Sequence, residues 1–254
     1  MSIVYSFGQS AFRVRLDWGP AGARACAADV NLVVDVLSFS TSVSVATERG
    51  TRVYPYRWND HRATAFAAEH EAVLAVGRLE ATQTAAGDAP SLSPSGLLRS
   101  DPVPRLVLPS PNGSTIAAAL NSTGSTVAIG CLRNARAAGV WAVAQLNAGR
   151  SVALIAAGER WSVDDSLRPA LEDHLGVGAI ASHLVSAGFV PMCSPETLAA
   201  AHLYEATPDL GNALKNCVSG RELVARGFEE DVDVAARLDT ATGVPLLRAS
   251  AFSI

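Results

Sequence analysis

The stretch Asn31-Leu-Val-Val-Asp-Val-Leu-Ser-Phe-Ser-Thr-Ser42 contains the pattern that decides the fold. It begins with a short apolar run rich in β-branched residues, which predicts a buried strand. A turn rich in hydroxyl groups follows, and then a helix is predicted to about Glu48. A buried strand that leads directly into a helix is the repeating unit of parallel α/β sheets.

The same alternation of strand and helix patterns continues toward the C-terminus. Further strands are predicted at residues 52–56, 71–76, 105–108, 126–129, 151–157 and 244–249, with helical patterns between them. We therefore expect an α/β fold with a largely parallel sheet, formed by residues 1–254 as a single chain. The segment 77–104, rich in proline and glycine, is expected to be a long loop that joins two halves.

The composition excludes several classes of protein. The chain has 254 residues, of which 49% are hydrophobic and 17% charged, so it is not intrinsically disordered. Its net charge of −4 and its lack of a basic patch argue against a nucleic-acid partner. Lys215 is its only lysine, which leaves little room for lysine-dependent chemistry.

The four cysteines and the apolar runs bear on the cellular compartment. No two cysteines form a Cys-x-x-Cys pair, which argues against a zinc site or a disulfide framework. The N-terminus lacks a signal-peptide pattern, and no apolar run approaches the roughly 20 residues that span a bilayer. We expect a cytoplasmic protein with reduced thiols and no membrane partner.

The turn after the first quoted strand is the leading candidate site, because open α/β sheets bind ligands at the carboxyl ends of their strands. Burying Asp35 there is costly unless it meets a cation or hydrogen-bond donors. The hydroxyl groups of Ser38, Ser40 and Thr41 and the next helix N-terminus offer donors for an anion. The alternative is that Ser40 or Thr41 only caps the helix and that Asp35 accepts hydrogen bonds from backbone N–H groups.

Two later turns carry similar features. Asn112, Gly113 and Ser114 precede and open a predicted helix, and the glycine allows close approach of a ligand to the backbone. Arg133 and Asn134 follow another strand and suit a phosphate or carboxylate. The alternative in each case is an ordinary turn with a helix cap.

Carboxylates near the later strands suggest a metal ion. Glu159 and Arg160 follow the strand at 151–157, and are candidates for a metal ligand and an anion-binding group. The alternative is an exposed ion pair. Glu172 and Asp173 lie in a predicted helix, where only one of two adjacent side chains faces the site. Oxygen ligands with few histidines or thiols favour Mg²⁺ over zinc.

Motifs of several other enzyme classes are absent. The chain contains no Gly-x-x-x-x-Gly-Lys phosphate loop, no Gly-x-Ser-x-Gly elbow and no His-Glu-x-x-His pair. Gly176 to Ala181 matches a dinucleotide fingerprint, but a helix precedes it where a strand is required. Nucleotide-binding and serine-hydrolase mechanisms are therefore not expected.

Several turns taken together resemble the 2-phosphosulfolactate phosphatase (ComB-like) family. The resemblance covers roughly residues 28–247 and rests on short segments in a shared order: Val34 to Leu37, Ser93-Pro94, Pro111 to Ser114, Gly130 to Ala135, Ala157-Gly158, Leu171 to Asp173, Gly227-Phe228 and Asp231-Val232. It implies a three-layer α/β/α fold with a largely parallel or mixed sheet and two similar halves. It also implies a Mg²⁺-dependent phosphatase of coenzyme M biosynthesis, acting on phosphate esters of small 2-hydroxy acids.

Two positions depart from the family pattern. Ser38 stands where an arginine is usual, and Arg78 stands where a glutamate is usual. The departure at Ser38 removes a positive charge that an acidic substrate group could use, so the sulfonate specificity is an open question.

We hypothesise that Asp35, Asp173 and Glu159 hold Mg²⁺, and that Asp35, Asp173 and Glu172 are the catalytic carboxylates. The phosphate would be bound by the hydroxyl-rich and glycine-containing turns, and the substrate carboxylate by Arg133 or Arg160. The substrate is expected to be a small anionic phosphate ester. Open alternatives are a phosphatase for another phospho-hydroxy acid and a non-catalytic anion-binding protein. Assembly into a homo-oligomer is also left open.

Overall fold

Strands and helices alternate along most of the chain. The structure is a computed structural model that describes residues 7–57, 61–83 and 90–254. The strands are β1 (Val14–Trp18), β2 (Val30–Val34), β3 (Arg52–Tyr56), β4 (Val73–Leu74), β5 (Arg105–Pro109), β6 (Thr126–Gly130), β7 (Val152–Ala156), β8 (Glu159–Arg160), β9 (Leu167–Arg168), β10 (Leu246–Arg248) and β11 (Ala251–Ser253). The helices are α1 (Gly19–Cys26), α2 (Phe39–Glu48), α3 (His61–Glu69), α4 (Arg78–Gln83), α5 (Pro94–Arg99), α6 (Gly113–Asn121), α7 (Ala135–Asn147), α8 (Leu171–Ser186), α9 (Pro195–Glu205), α10 (Leu210–Asn216), α11 (Val218–Ala225) and α12 (Glu229–Ala235).

Within the described residues, nine strands form one mixed sheet in the order β1-β7-β2-β6-β10-β11-β3-β5-β4. The first four strands in this order run parallel to one another, and β3, β5 and β4 form a second parallel group. The antiparallel hairpin β10–β11 lies between the groups and pairs with β6 and β3. The expected largely parallel or mixed sheet is confirmed, with a hairpin in place of the single last strand.

Apolar layers cover both faces of the sheet. Leu32 and Val34 of β2 pack with residues of α7, α8 and α9, whereas Val33 packs on the opposite face with residues of α2 and α6. All five residues of β2 are buried, as expected for a strand covered on both faces. The three-layer α/β/α arrangement is therefore confirmed.

The segment 77–104 is more regular than the long loop that its prolines and glycines predict. It contains α4 and α5, and residues 84–89 within it lie outside the described residues. Ser93 caps α5 by accepting a hydrogen bond of 3.0 Å from the N–H group of Gly96. Pro94 occupies the first turn, where its missing N–H group costs nothing. The predicted join between two halves at this segment stays a prediction.

The described helices and the four cysteines bear on the expectations about membranes and thiols. None of the described helices is both long and apolar enough to cross a membrane. Cys26, Cys131, Cys193 and Cys217 are all buried free thiols.

Candidate active site

A cleft of about 200 Å³ opens where several turns meet at the ends of the strands. Asp35 and Ser38 reach it from the turn after β2, Asn112 from the turn after β5, and Glu159 from the turn after β7. Arg78, the first residue of α4, also lines it. Because open α/β sheets bind ligands beyond the carboxyl ends of their strands, this cleft is the candidate active site.

Asp35 is the most deeply placed carboxylate of the cleft and is only 7% exposed. Its Oδ1 atom accepts the N–H of Phe39 at 3.0 Å, and its Oδ2 atom accepts the N–H of Gly113 at 3.1 Å. Burial raises the pKa of Asp35 to about 6, although these two hydrogen bonds oppose the rise. The carboxylate is thus fixed in place and can hold or release a proton close to neutral pH.

Glycine at position 113 is required for this contact. A Cβ atom there would lie 2.9 Å from Oδ2 of Asp35 and would overlap the ring of Phe39. The N–H of Gly113 thus donates to Asp35, and a direct contact of Gly113 with the substrate stays a prediction.

Glu159 faces the cleft from β8 and is paired with Asn112. The amide Nδ2 of Asn112 donates a hydrogen bond of 3.1 Å to Oε2 of Glu159. Burial raises the pKa of Glu159 to about 7, and the negative charges of Asp35 and Glu172 add to the rise. Asn112 and Glu159 thus form a hydrogen-bonded polar pair on the wall of the cleft.

Asp173 lies behind the cleft in the first turn of α8 and is 3% exposed. It accepts the N–H of Val36 at 2.7 Å and the N–H of Gly158 at 2.8 Å, one on each carboxylate oxygen. Burial raises the pKa of Asp173 well above its usual value, with repulsion from Asp35 and Glu172 as further causes. Asp173 therefore fixes the turns after β2 and β7, and its predicted metal-binding and catalytic roles stay predictions.

Glu172 is buried beside these groups and is 2% exposed. Its negative charge raises the pKa values of Asp35, Asp173 and Glu159. Burial raises the pKa of the Cys217 thiol to about 12, and the charge of Glu172 contributes to that rise. Glu172 does not line the cleft, so its predicted catalytic role stays a prediction.

The carboxylates give the site an acidic character that suits a divalent cation. No three or more His, Cys, Asp or Glu side chains in the described ranges are already arranged as the ligands of one ion. Mg²⁺, however, is usually bound by one or two carboxylates, and completes its octahedron with water and phosphate oxygens. Asp35 and Glu159 are the carboxylates that line the cleft, so the donors present fit an ion of this kind.

A guanidinium group balances this acidic site. Arg78 donates a hydrogen bond through Nη2 to Oγ of Ser38, and another of 2.7 Å through Nε to Oδ2 of Asp231. Asp231 is fully buried and also accepts hydrogen bonds from the Ser93 and Ser95 side chains and from the N–H of Ser95. Neither Arg78 nor Asp231 is among the residues that the sequence predicts for the site.

A family model described as 2-phosphosulpholactate phosphatase matches residues 21–250.

The chain belongs to the 2-phosphosulpholactate phosphatase family.

Two curated relatives of this family are similar over most of their length. A "Probable 2-phosphosulfolactate phosphatase" of Thermus thermophilus is 30% identical over 239 residues, which cover 93% of this chain and 94% of the relative. A protein of the same name from Deinococcus radiodurans is 29% identical over 229 residues, which cover 86% and 88% of the two chains. The predictions of this family and of a phosphoric monoester hydrolase are confirmed.

Three hydroxyl groups predicted to bind substrate in this member of the 2-phosphosulpholactate phosphatase family are used within the protein instead. Ser40 donates to the carbonyl oxygen of Val33 at 3.0 Å, and Thr41 donates to that of Val36 at 2.7 Å. Ser114 donates to the carbonyl oxygen of Tyr56 at 2.8 Å and to that of Ser110. None of these three residues lines the cleft, and their predicted contact with substrate stays a prediction.

The turn after β6 is also separate from the cleft, and the substrate-binding roles predicted for Arg133 and Asn134 stay predictions. Arg133 forms a salt bridge of 2.9 Å with Glu48 at the end of α2. Asn134 accepts the N–H of Cys131 at 2.9 Å and donates to Ile129 and Gly243 carbonyl oxygens. The physical reason is that residues 239–241 bond to the backbone of residues 132–133 and cover this turn.

Arg160 lies at the outer edge of the site. Its Nη1 atom donates to the carboxylate of Asp165 at 2.9 Å and to the carbonyl oxygen of Asp165 at 3.0 Å. The ion pair at this turn is thus between Arg160 and Asp165, and not between Arg160 and Glu159. Ser38 and Asn112 line the cleft as expected, whereas substrate contacts by Ser38, Asn112 and Arg160 stay predictions.

Proposed function

We propose that this chain is a Mg²⁺-dependent phosphatase that hydrolyses the phosphate monoester of a small 2-hydroxy acid, with 2-phosphosulfolactate as its substrate. The observation that carries the proposal is the cleft in which Asp35 and Glu159 meet at the strand ends. Family membership supports phosphatase chemistry, and the names of both relatives support this substrate.

Asp35 and Glu159 are the residues that would hold Mg²⁺. When bound, the ion would neutralise charge on the phosphoryl oxygens, which is its general contribution to phosphoryl transfer. Burial is the main cause that raises the pKa values of both carboxyl groups, to about 6 and about 7, and the negative charge of Glu172 adds to both rises. The acidic character of the cleft therefore supports the proposal.

The remaining residues of the cleft would orient the reacting groups. The hydrogen bonds from Phe39 and Gly113 fix both oxygens of Asp35, so this carboxylate does not have to reorganise during the reaction. The amide of Asn112 holds Glu159 and lies on the same wall, where it can also donate to a phosphate oxygen.

Release of inorganic phosphate tests the proposed function. Purified protein is incubated with 2-phosphosulfolactate, 2-phospholactate and phosphoglycolate, first with Mg²⁺, then with EDTA, and then with Mg²⁺ restored in excess. We expect turnover of 2-phosphosulfolactate that EDTA abolishes and Mg²⁺ restores. Turnover that EDTA leaves unchanged would contradict the metal requirement, and preference for another ester would contradict the substrate.

A non-catalytic anion-binding protein gives a different result in the same experiment. It would show a ligand-induced rise in melting temperature with these esters and no phosphate release in any of the three conditions. That outcome would overturn the proposed enzymatic function.

Cytoplasmic location is a further part of the proposal. It is supported by the four buried free thiols, since disulfides are rare in the reducing cytosol. A role in coenzyme M biosynthesis would follow from the proposed substrate. Fractionation of cells that produce the protein tests the location, and recovery outside the cytoplasmic fraction would contradict it.

A further inference from the structure

A second, wider cleft adjoins the candidate active site. Its volume is about 600 Å³, and it shares Leu37, Arg78 and Glu159 with the smaller cleft. We call the smaller one the inner cleft and the wider one the outer cleft. A ligand whose phosphate lies beside Asp35 in the inner cleft can therefore extend past Arg78 into the outer cleft.

The outer cleft has the opposite charge to the inner one. Its lining includes the arginines Arg78, Arg160, Arg168 and Arg226, against the glutamates Glu159 and Glu222. In a chain with net charge −4, such a concentration of guanidinium groups beside a carboxylate cleft is a local feature and does not follow from composition. Guanidinium groups bind carboxylate and sulfonate oxygens through paired N–H donors.

The four arginines differ in how far they are already neutralised. Arg160 pairs with the exposed carboxylate of Asp165. Arg226, just after α11, pairs with Glu222 in the last turn of that helix. Arg168 instead donates to the hydroxyl of Ser219 at 3.3 Å and has its guanidinium over the ring of Trp161, 5.9 Å from the centroid. Among the described residues, no carboxylate forms a salt bridge with Arg168.

Arg78 stands at the boundary between the clefts and is held there by buried groups. Its salt bridge to Asp231 joins a side chain that is 19% exposed to one that is fully buried. Because Asp231 is also fixed by Ser93 and Ser95, the guanidinium of Arg78 has little freedom to move. A fixed guanidinium loses less entropy when it binds an anion than a mobile surface arginine does.

We propose that Arg78 and Arg168 determine substrate specificity by binding the acidic groups that the substrate carries in addition to its phosphate. Arg78 borders both clefts and binds the carboxylate next to the ester carbon. Arg168 lines only the outer cleft and binds a second, more distant acid such as a sulfonate. Asp231 is a positioning residue for Arg78. This assignment rests on the proposed function and deepens it.

Three phosphate esters distinguish the roles of Arg78 and Arg168. These are 2-phosphosulfolactate with two additional acids, 2-phospholactate with one, and isopropyl phosphate with none. We expect Arg168→Ala to raise the KM for 2-phosphosulfolactate at least 10-fold, with less than a 3-fold change for the other two esters. We expect Arg78→Ala to raise the KM for both acid-bearing esters at least 10-fold more than the KM for isopropyl phosphate.

Two additional variants guard against effects on folding and on surface charge. Removing Arg78 leaves Asp231 as a buried charge without its partner, which destabilises proteins. Arg78→Lys keeps a cation near Asp231 but loses the paired donors, so it tests the same role in a folded protein. Arg99→Ala, which removes an exposed arginine paired with Glu230 outside both clefts, is the matched control and should leave all KM values unchanged.

Binding of 3-sulfolactate, measured by isothermal titration calorimetry, separates failure of this inference from failure of the proposed function. This ligand has both acids and no phosphate, so its affinity does not depend on turnover. We expect Arg78→Lys and Arg168→Ala each to weaken it at least 10-fold. Unchanged affinity, or equal KM changes for all three esters, would overturn the specificity assignment even if the enzyme is active. Weakened binding without any phosphate release would overturn only the proposed function.

Discussion

The carboxylate of Asp35 accepts the backbone N–H of Gly113 at 3.1 Å, although the two residues are 78 positions apart in the sequence. The bond joins the turn after β2 to the first residue of α6. The other oxygen of Asp35 accepts the N–H of Phe39 at the start of α2. Asp35 therefore connects the N-termini of two helices that pack against each other, where helix dipoles stabilise a negative charge.

Gly113→Ala should damage this connection. The added Cβ atom would lie 2.9 Å from Oδ2 of Asp35 and would overlap the Phe39 ring, so either the helix or the carboxylate has to move. We expect a loss of about 1–3 kcal/mol in the free energy of unfolding, which is typical of overpacking. Phosphatase activity should also fall at least 10-fold. Chemical denaturation and a phosphate-release assay measure the two effects.

Gly211→Ala is the matched control for this substitution. Gly211 lies in the first turn of α10, and a Cβ atom there has its nearest neighbour, Oδ1 of Asp209, at 3.6 Å. Alanine favours a helix over glycine by up to about 1 kcal/mol, so stability should stay the same or rise. Equal losses of stability and activity in the two variants would mean that the overlap with Asp35 and Phe39 is not the cause of the effect.

The stability of the metal-free protein should fall as pH rises from about 5 to about 8. The pKa values of Asp35 and Glu159 in the folded state, about 6 and about 7, are higher than in an unfolded chain. A carboxyl group raised in this way contributes stability that is complete below its unfolded-state pKa and is lost as pH rises through its folded-state pKa. Melting temperatures measured in EDTA across this range test the direction.

Glu159→Gln should flatten that pH dependence. The substitution removes one of the two titrating groups and keeps an acceptor for the Asn112 amide, so the metal-free variant should be about 1–3 kcal/mol more stable than wild type at pH 8. Mg²⁺ should raise the melting temperature of wild type more at pH 8 than at pH 5, since its ligands must be deprotonated. A wild-type protein that becomes more stable toward pH 8 without metal would contradict this account.

Asp231→Asn should affect specificity through Arg78. The variant keeps an oxygen for Ser95 but loses the charge that holds the guanidinium, at a cost of about 3 kcal/mol in stability. We expect the KM for acid-bearing esters to rise several-fold while kcat and the KM for isopropyl phosphate change little. Asp233→Asn, which alters an exposed aspartate of the same helix paired with Lys215, is its control and should behave like wild type. A proportional loss with every ester would mean that Asp231 only stabilises the fold.

Sequence reasoning found those parts of the site that follow directly from strand ends. Asp35 and Glu159 come after apolar strands, and parallel strands bring such positions to one edge of the sheet. The same rule predicted Arg133 and Asn134 at the site, but the structure places their turn away from the cleft. The strand before them is paired with the C-terminal hairpin, and residues 239–241 cover their turn, which no local pattern indicates.

The hydroxyl groups and Arg78 show two other limits of sequence reasoning. Ser40 and Thr41 stand in a turn whose buried carbonyl groups need donors, so local hydrogen bonding uses them before any substrate does. Arg78 and Asp231 are separated by 153 positions, and nothing in the sequence around either one predicts their contact. Arg78 and Ser38, however, both depart from the family pattern, and this is visible in the sequence. The paired departure was the signal that could have suggested their contact.

Phosphate release by Asp35→Asn tests the central claim most directly. The substitution keeps the size of the side chain and removes the negative charge fixed by Phe39 and Gly113. With 2-phosphosulfolactate and Mg²⁺, we expect kcat to fall at least 100-fold, or about 2.7 kcal/mol or more in the activation free energy. Asp164→Asn, which alters an exposed aspartate outside both clefts, should keep wild-type activity. An Asp35→Asn variant that is folded and retains the wild-type kcat would show that this cleft does not carry out the hydrolysis.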